Sequence, residues 1–359
     1  MTSGILILLL LTLVLAAANG ANDVSKGVAT LAGSGAAQVR RVVLWGTLCT
    51  VIGGIAAVAW GGVLAGSFGA GFVAPGFRID LAFLTATLLG ACLWLLAATR
   101  FGLPVSTTHA LLDGLVGAVL ASAGPDGLRA AAVANKALLP LLVSPVIALL
   151  LCGGVLLAAR YMATRVPPWR EGCCAREAWY RDPFVCAGDE SPAPLPWRRR
   201  LWTVLHWLSS GITSFARGLN DTPKIAAFLL LASAATPGDN ALAALGDRGL
   251  VILVVVAMGA GSLWGGNRVL QTLAHRVTPM NTVNGLVANA GTSLLVLLAT
   301  PLGLPVSTTH VSTGALMGIR WANRTRPAEA DALRGILLAW VVTLPAAALL
   351  AALCTRILG

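Results

Sequence analysis

The sequence predicts an all-α integral membrane protein made of two inverted-topology repeats, and three observations predict it. Hydrophobic residues make up 57% of the 359 and charged ones 11%, with a mean hydropathy of +0.82. Apolar stretches near the length that crosses about 30 Å of hydrocarbon recur along the chain. Two short polar strings also occur twice. G-A-N-D-V-S-K-G at 20–27 is answered by G-L-N-D-T-P-K-I at 218–225, and G-L-P-V-S-T-T-H at 102–109 returns at 303–310. Asp23 and Asp221 are 198 positions apart, Ser106 and Ser307 201, Pro145 and Pro345 200. Offsets this constant indicate a duplicated unit of roughly 150 residues, with a ligand expected where the two copies meet.

Taken in order, the predicted spans are 5–18, 42–65, 81–98, 138–159, 251–263, 283–300 and 336–353. The first is read as a span and not a signal peptide. No Lys or Arg precedes it, and cleavage after Ala18 would leave the first N-D string at a new terminus. Between the copies, 160–200 holds eight arginines against five acids, with several prolines. The predicted division is therefore a first membrane repeat at 1–159, a linker with little secondary structure at 160–202, and a second membrane repeat at 203–359.

The surplus of arginine puts the linker in the cytoplasm and accounts for the net charge of +11 without nucleic acid. Arg40, Arg41, Arg320, Arg324, Arg326 and Arg334 fall on the same side only if each half crosses an odd number of times. The halves are then inverted and both termini lie outside. Each P-V-S-T-T-H segment lies between two apolar stretches, as a surface loop between two crossings or as a hairpin that dips in and returns. Helix breaks or hairpins are expected at both the N-D and the P-V-S-T-T-H motifs. Cys49, Cys92, Cys152 and Cys354 read as small packing residues. Cys173, Cys174 and Cys186 lack a zinc-like spacing and a nearby His.

Asp23 and Asp221 are the most informative residues. A carboxylate in hydrocarbon costs about 2.5–3.5 kcal/mol, so two at matched positions point to function; the plain alternative is an aspartate capping a helix broken at Gly20 or Gly218. Lys26 and Lys224, two of only three lysines, follow three residues later, on the same helix face. They either neutralise the aspartates or face a bound anion. Pro104 and Pro305 suit a first helical turn and the Ser/Thr run a helix start, giving a donor-rich cradle for an oxyanion. His109 and His310 suit buried rings bonded to backbone, Arg100 a juxtamembrane anchor, and Asn284 and Asn289 helix–helix hydrogen bonds.

Neutral donors suit any small oxyanion. Carboxylates beside it need either a cation that travels with it or a proton that it still carries. Monohydrogen phosphate has such a proton and sulfate does not. Each negative charge moved inward against 100 mV costs about 2.3 kcal/mol, which favours a co-transported cation. A membrane enzyme would need a nucleophile and base near the surface, and a channel would need repeated rings; the matched pairs suit neither.

At these residues the chain resembles the inorganic phosphate transporter (Pit) family, which carries both strings in duplicate. The resemblance implies a sodium- or proton-coupled phosphate symporter in the cell membrane, with inverted repeats, commonly dimeric and without a resident cofactor. Sulfate or another tetrahedral oxyanion is the alternative cargo. It also implies that Ser106, Thr107, Thr108, Ser307, Thr308 and Thr309 contact phosphate. Asn22, Asp23, Asn220 and Asp221 would complete the phosphate and cation sites, with sodium at Asp23 and Asp221. The chain departs from the family's N-D-x-A-N-A pattern at Lys26, where an amide would help to hold sodium.

Overall fold

The computed structural model describes residues 3–60, 62–69, 71–165, 196–236, 241–275, 277, 280–324 and 330–358; its β content among them is one bridge, Val73 to Leu128. The longer helices are α1 (Ser3–Gly33), α2 (Val39–Trp60), α3 (Gly62–Gly69), α4 (Leu81–Arg100), α5 (Thr107–Ala123) and α6 (Leu139–Arg165), the last preceded by short helical pieces at Pro125–Gly127, Ala130–Ala132 and Val133–Leu138. After the linker come α7 (Pro196–Ala235), α8 (Ala241–Gly265), α9 (Asn267–His275), α10 (Thr282–Ala299), α11 (Thr308–Asn323) and α12 (Ala330–Leu358). Among the described residues seven helices are long and apolar enough to cross a membrane. Each predicted span has most of its length in one of them. The span 42–65 covers most of α2 and the first residues of α3.

These helices face two ways. On α2, Leu44, Leu48, Ile52 and Ile55 are each about half exposed, in one stripe at helical spacing, the surface expected against lipid tails. The opposite face of α2 packs on α7. Linker predictions meet the structure only at the edges: α6 continues to Arg165 and α7 starts at Pro196, so both described ends are helical. Cys173, Cys174 and Cys186 lie outside the described residues, whereas Cys49, Cys92 and Cys152 are buried.

The expected helix breaks occur at one motif and not at the other. Both α1 and α7 run unbroken through their N-D strings. The glycines there serve close packing: a methyl on Gly20 would stand 2.0 Å from the Met258 carbonyl oxygen of α8, and one on Gly218 2.1 Å from that of Thr50 on α2. The neighbours return the contact, Gly53 of α2 against Phe215 O and Gly261 of α8 against Ala17 O. The P-V-S-T-T-H strings do form hairpins. Gly102 and Gly303 end α4 and α10 in left-handed conformation (φ 70° and 66°), as helix-closing glycines do, and a proline two residues later prevents continuation.

Hydrogen bonds fix the directions of the helices. His206 faces Thr30 at 3.0 Å, Ser210 donates to Gly27 O at 2.7 Å, and Asn19 donates to Asp221 at 3.4 Å. Numbers rise along α1 as they fall along α7, so these corresponding helices of the two halves are antiparallel. Within each half the order is the same. Cys92 meets Leu11 and Thr99 meets Asn22, making α4 parallel to α1. Asn289 meets Thr213 and Thr300 meets Asn220, making α10 parallel to α7. The halves interlock rather than sit side by side: α1 packs on α8, α2 on α7, α5 on α12 and α6 on α11.

Two apolar clusters result. One gathers the first part of α1 with α4, α5 and the end of α7; the other gathers the last part of α1 with α9, α10 and α11. On α1 the first cluster ends at Ala18 and the second begins at Val24; on α7 they meet the interval between Ala216 and Ile225. A polar layer occupies those intervals.

Candidate functional site

Four chain segments build this layer: the middles of α1 and α7, and the starts of α5 and α11. Ser106 and Ser307 are the N-caps, their hydroxyls accepting from His109 N at 3.1 Å and His310 N at 3.2 Å. Pro104 and Pro305 therefore stand two residues before the cap, not in the first turn as expected; the serine oxygen supplies the cap that ends the extended segment. The first N–H groups of each helix have no partner within it and carry the positive end of its dipole. The His109 and His310 rings, one turn further on, lie 4.6 Å apart edge to face, so the two helix starts lie next to each other.

The strings from the same half are tied to each other. Asn22 donates to Thr99 Oγ1 and Leu103 O, both at 3.0 Å. Asn220 donates to Asp221 Oδ1 at 2.9 Å and Val306 O at 3.2 Å, and its own oxygen faces Thr300 Oγ1 at 3.5 Å. Both amides thus spend their N–H groups on protein acceptors that pin the hairpin turns.

Asp23 and Lys26 form an ion pair, as do Asp221 and Lys224 at 3.5 Å, all four essentially buried. Lys26 also donates to Val105 O at 3.3 Å; Lys224 donates to Val306 O at 2.9 Å and Thr108 Oγ1 at 2.8 Å. Each lysine thus lies against its own aspartate, and Lys224 also lies on the hydroxyl cradle of the opposite half. A buried pair of this kind needs such further hydrogen bonds to offset its desolvation.

The hydroxyls divide by what they have left to give. Ser106, Ser307, Thr107 and Thr108 all act as acceptors within the protein, Thr107 from Asn19 at 2.9 Å. Each keeps its own proton to donate. Thr309 instead gives its proton to Val105 O at 2.9 Å. Thr308 is buried beside it at the start of α11.

Two residues of the layer escaped the sequence reading. Asn19, fully buried, donates to Asp23 at 3.1 Å, Thr107 at 2.9 Å and Asp221 at 3.4 Å, and so bridges both halves. Arg217 is 1% exposed and donates to Thr50 Oγ1 at 2.9 Å and Ser262 Oγ at 3.4 Å. A signal existed: 19 and 217 are 198 apart, the same offset as Asp23 and Asp221. The residues differ, so a search for repeated letters passes over them. Asn289 donates to Thr30 at 2.9 Å, the helix–helix role expected of it, and His310 faces Leu141 O at 3.2 Å. Asn284 lies in the cap of α10, where its N–H meets Asn281 Oδ1.

The sequence profile of the phosphate transporter family matches residues 19–351. Among curated relatives, a probable low-affinity inorganic phosphate transporter of Rhizobium meliloti is 30% identical over 338 residues, covering 94% of this chain and 91% of that protein. One of the same description from Mycobacterium bovis is 28% identical over 360 residues, covering 97% of this chain and 76% of that protein. A solved structure of a sodium-dependent phosphate transporter superposes with a TM-score of 0.80 at 22% identity, covering 99% of both chains, and so shares the fold.

Proposed function

The chain belongs to the phosphate transporter family, and from that premise we propose that it is a secondary active carrier importing inorganic phosphate across the cell membrane, coupled to sodium or protons by alternating access. It is a multi-pass membrane transporter and not an enzyme. The observation that carries the proposal is the convergence of two capped helix starts on a buried layer holding two Asp–Lys pairs. Helix starts and hydroxyl protons replace water around an oxyanion; carboxylates beside them accept a cation or the proton of monohydrogen phosphate. The antiparallel run of α1 and α7 supports the inverted repeats that alternating access needs. The arginine distribution supports a cytoplasmic linker and outward termini, and a homodimer completes the reading.

The names of the curated relatives favour phosphate over sulfate as the cargo. The test is uptake of radiolabelled phosphate by proteoliposomes holding the full chain, with and without sodium and proton gradients, and with sulfate as competitor. Saturable, gradient-driven accumulation that sulfate leaves untouched is expected. Uptake of sulfate with none of phosphate refutes the cargo, and flux that rises linearly with concentration refutes a carrier.

A further inference from the structure

The two halves of the polar layer are not equivalent in charge. Position 217 in α7 corresponds to position 19 in α1, and there the second half has an arginine where the first has an amide. Arg217 is buried, and its Nη1 stands 3.5 Å from the carbonyl oxygen of Asn19. Among the described residues its Nε–H has no partner.

Each Asp–Lys pair sums to zero wherever its proton sits. The guanidinium cannot give up its proton, so one net positive charge remains fixed in the layer. Asp113, the carboxylate of α5, is not among the described partners of these five groups. The acceptor oxygens show the same asymmetry. Asn19 Oδ1 and Asn22 Oδ1 in the first half are buried without a partner among the described residues. In the second half Asn220 Oδ1 faces Thr300, and Arg217 replaces the other amide.

We propose that Arg217 is a built-in counter-charge that substitutes for one travelling cation, so that each monohydrogen phosphate moves with a single external positive charge, taken up on the first-half side. A buried layer has to stay near neutrality, because uncompensated charge there is costly. A dianion against one fixed positive charge leaves one negative charge to balance. The free oxygens of Asn19 and Asn22, beside Asp23, are where that balance is supplied. In the second half the place is already held by the chain itself. Asn at position 217, the residue found at position 19, would leave the layer neutral and require a second cation.

This rests on the phosphate-carrier reading, and the experiment separates the two. Cations moved per phosphate are measured from the reversal potential of radiolabelled phosphate flux in proteoliposomes, under imposed sodium and proton gradients. The expected ratio is one for the wild type, one for Arg217→Lys, which keeps the charge, and two for Arg217→Asn. A wild-type ratio of two or more overturns the proposal, and so does an unchanged ratio in an Arg217→Asn protein that still exchanges phosphate. If the wild type exchanges no labelled phosphate at all, the carrier reading itself falls.

Discussion

The Lys224 ammonium of α7 lies 2.8 Å from the Thr108 hydroxyl of α5, so a cation from the second half is bonded to the cradle of the first. Hydrogen bonds to charged groups contribute about 1.5–3 kcal/mol. Thr108→Val, which keeps the shape and removes the oxygen, is expected to raise the half-saturation for phosphate exchange roughly tenfold or more on that figure. Thr108→Ser should restore it. An unchanged half-saturation in the valine variant would place the anion elsewhere.

Removing one member of a buried ion pair costs about 3–5 kcal/mol, because its partner keeps an uncompensated charge. Asp23→Asn leaves Lys26 with the Val105 carbonyl at 3.3 Å, whereas Asp221→Asn leaves Lys224 with two neutral oxygens at 2.8 and 2.9 Å. Thermal unfolding in detergent should therefore fall further for Asp23→Asn. Adding Lys26→Gln to it should recover most of the loss. Both single variants should lose concentrative uptake while remaining in the membrane.

Gly20 lies where a methyl would come within 2.0 Å of backbone on α8, whereas a methyl on Gly62 would meet nothing among the described residues within 4 Å. Gly20→Ala is expected to lower stability by about 1–3 kcal/mol or more, the cost of forcing packed elements apart. Gly62→Ala should leave the unfolding midpoint where it is. Size-exclusion profiles and melting curves of the two proteins make the comparison.

Asn19→Ala removes the donor shared by Asp23, Thr107 and Asp221. The acceptors left behind are buried, and each unsatisfied one costs about 1–3 kcal/mol. A lower melting temperature together with weaker phosphate affinity is expected. A change in melting alone would mean that Asn19 only holds the helices together.

Much of this was legible because duplication marks function with repeated letters. The paired aspartates, lysines and hydroxyl runs stand at constant offsets, and the apolar spans gave seven helices their places. Asn19 and Arg217 were harder to see, since the copies had diverged at that position and only the register still links them. The glycines of the N-D strings misled for another reason. Glycine weakens a helix and also lets two helices touch, and the sequence does not say which use applies. Here the carbonyls of Met258 and Thr50 decide for contact.

The backbone-to-backbone seams at Gly20, Gly53, Gly218 and Gly261 each join a helix of one copy to a helix of the other. Neither copy can close these grooves from its own residues. The two halves therefore hold each other by packing as well as by the chain that joins them, and severing the polypeptide at 166–195 should still leave two fragments that find each other.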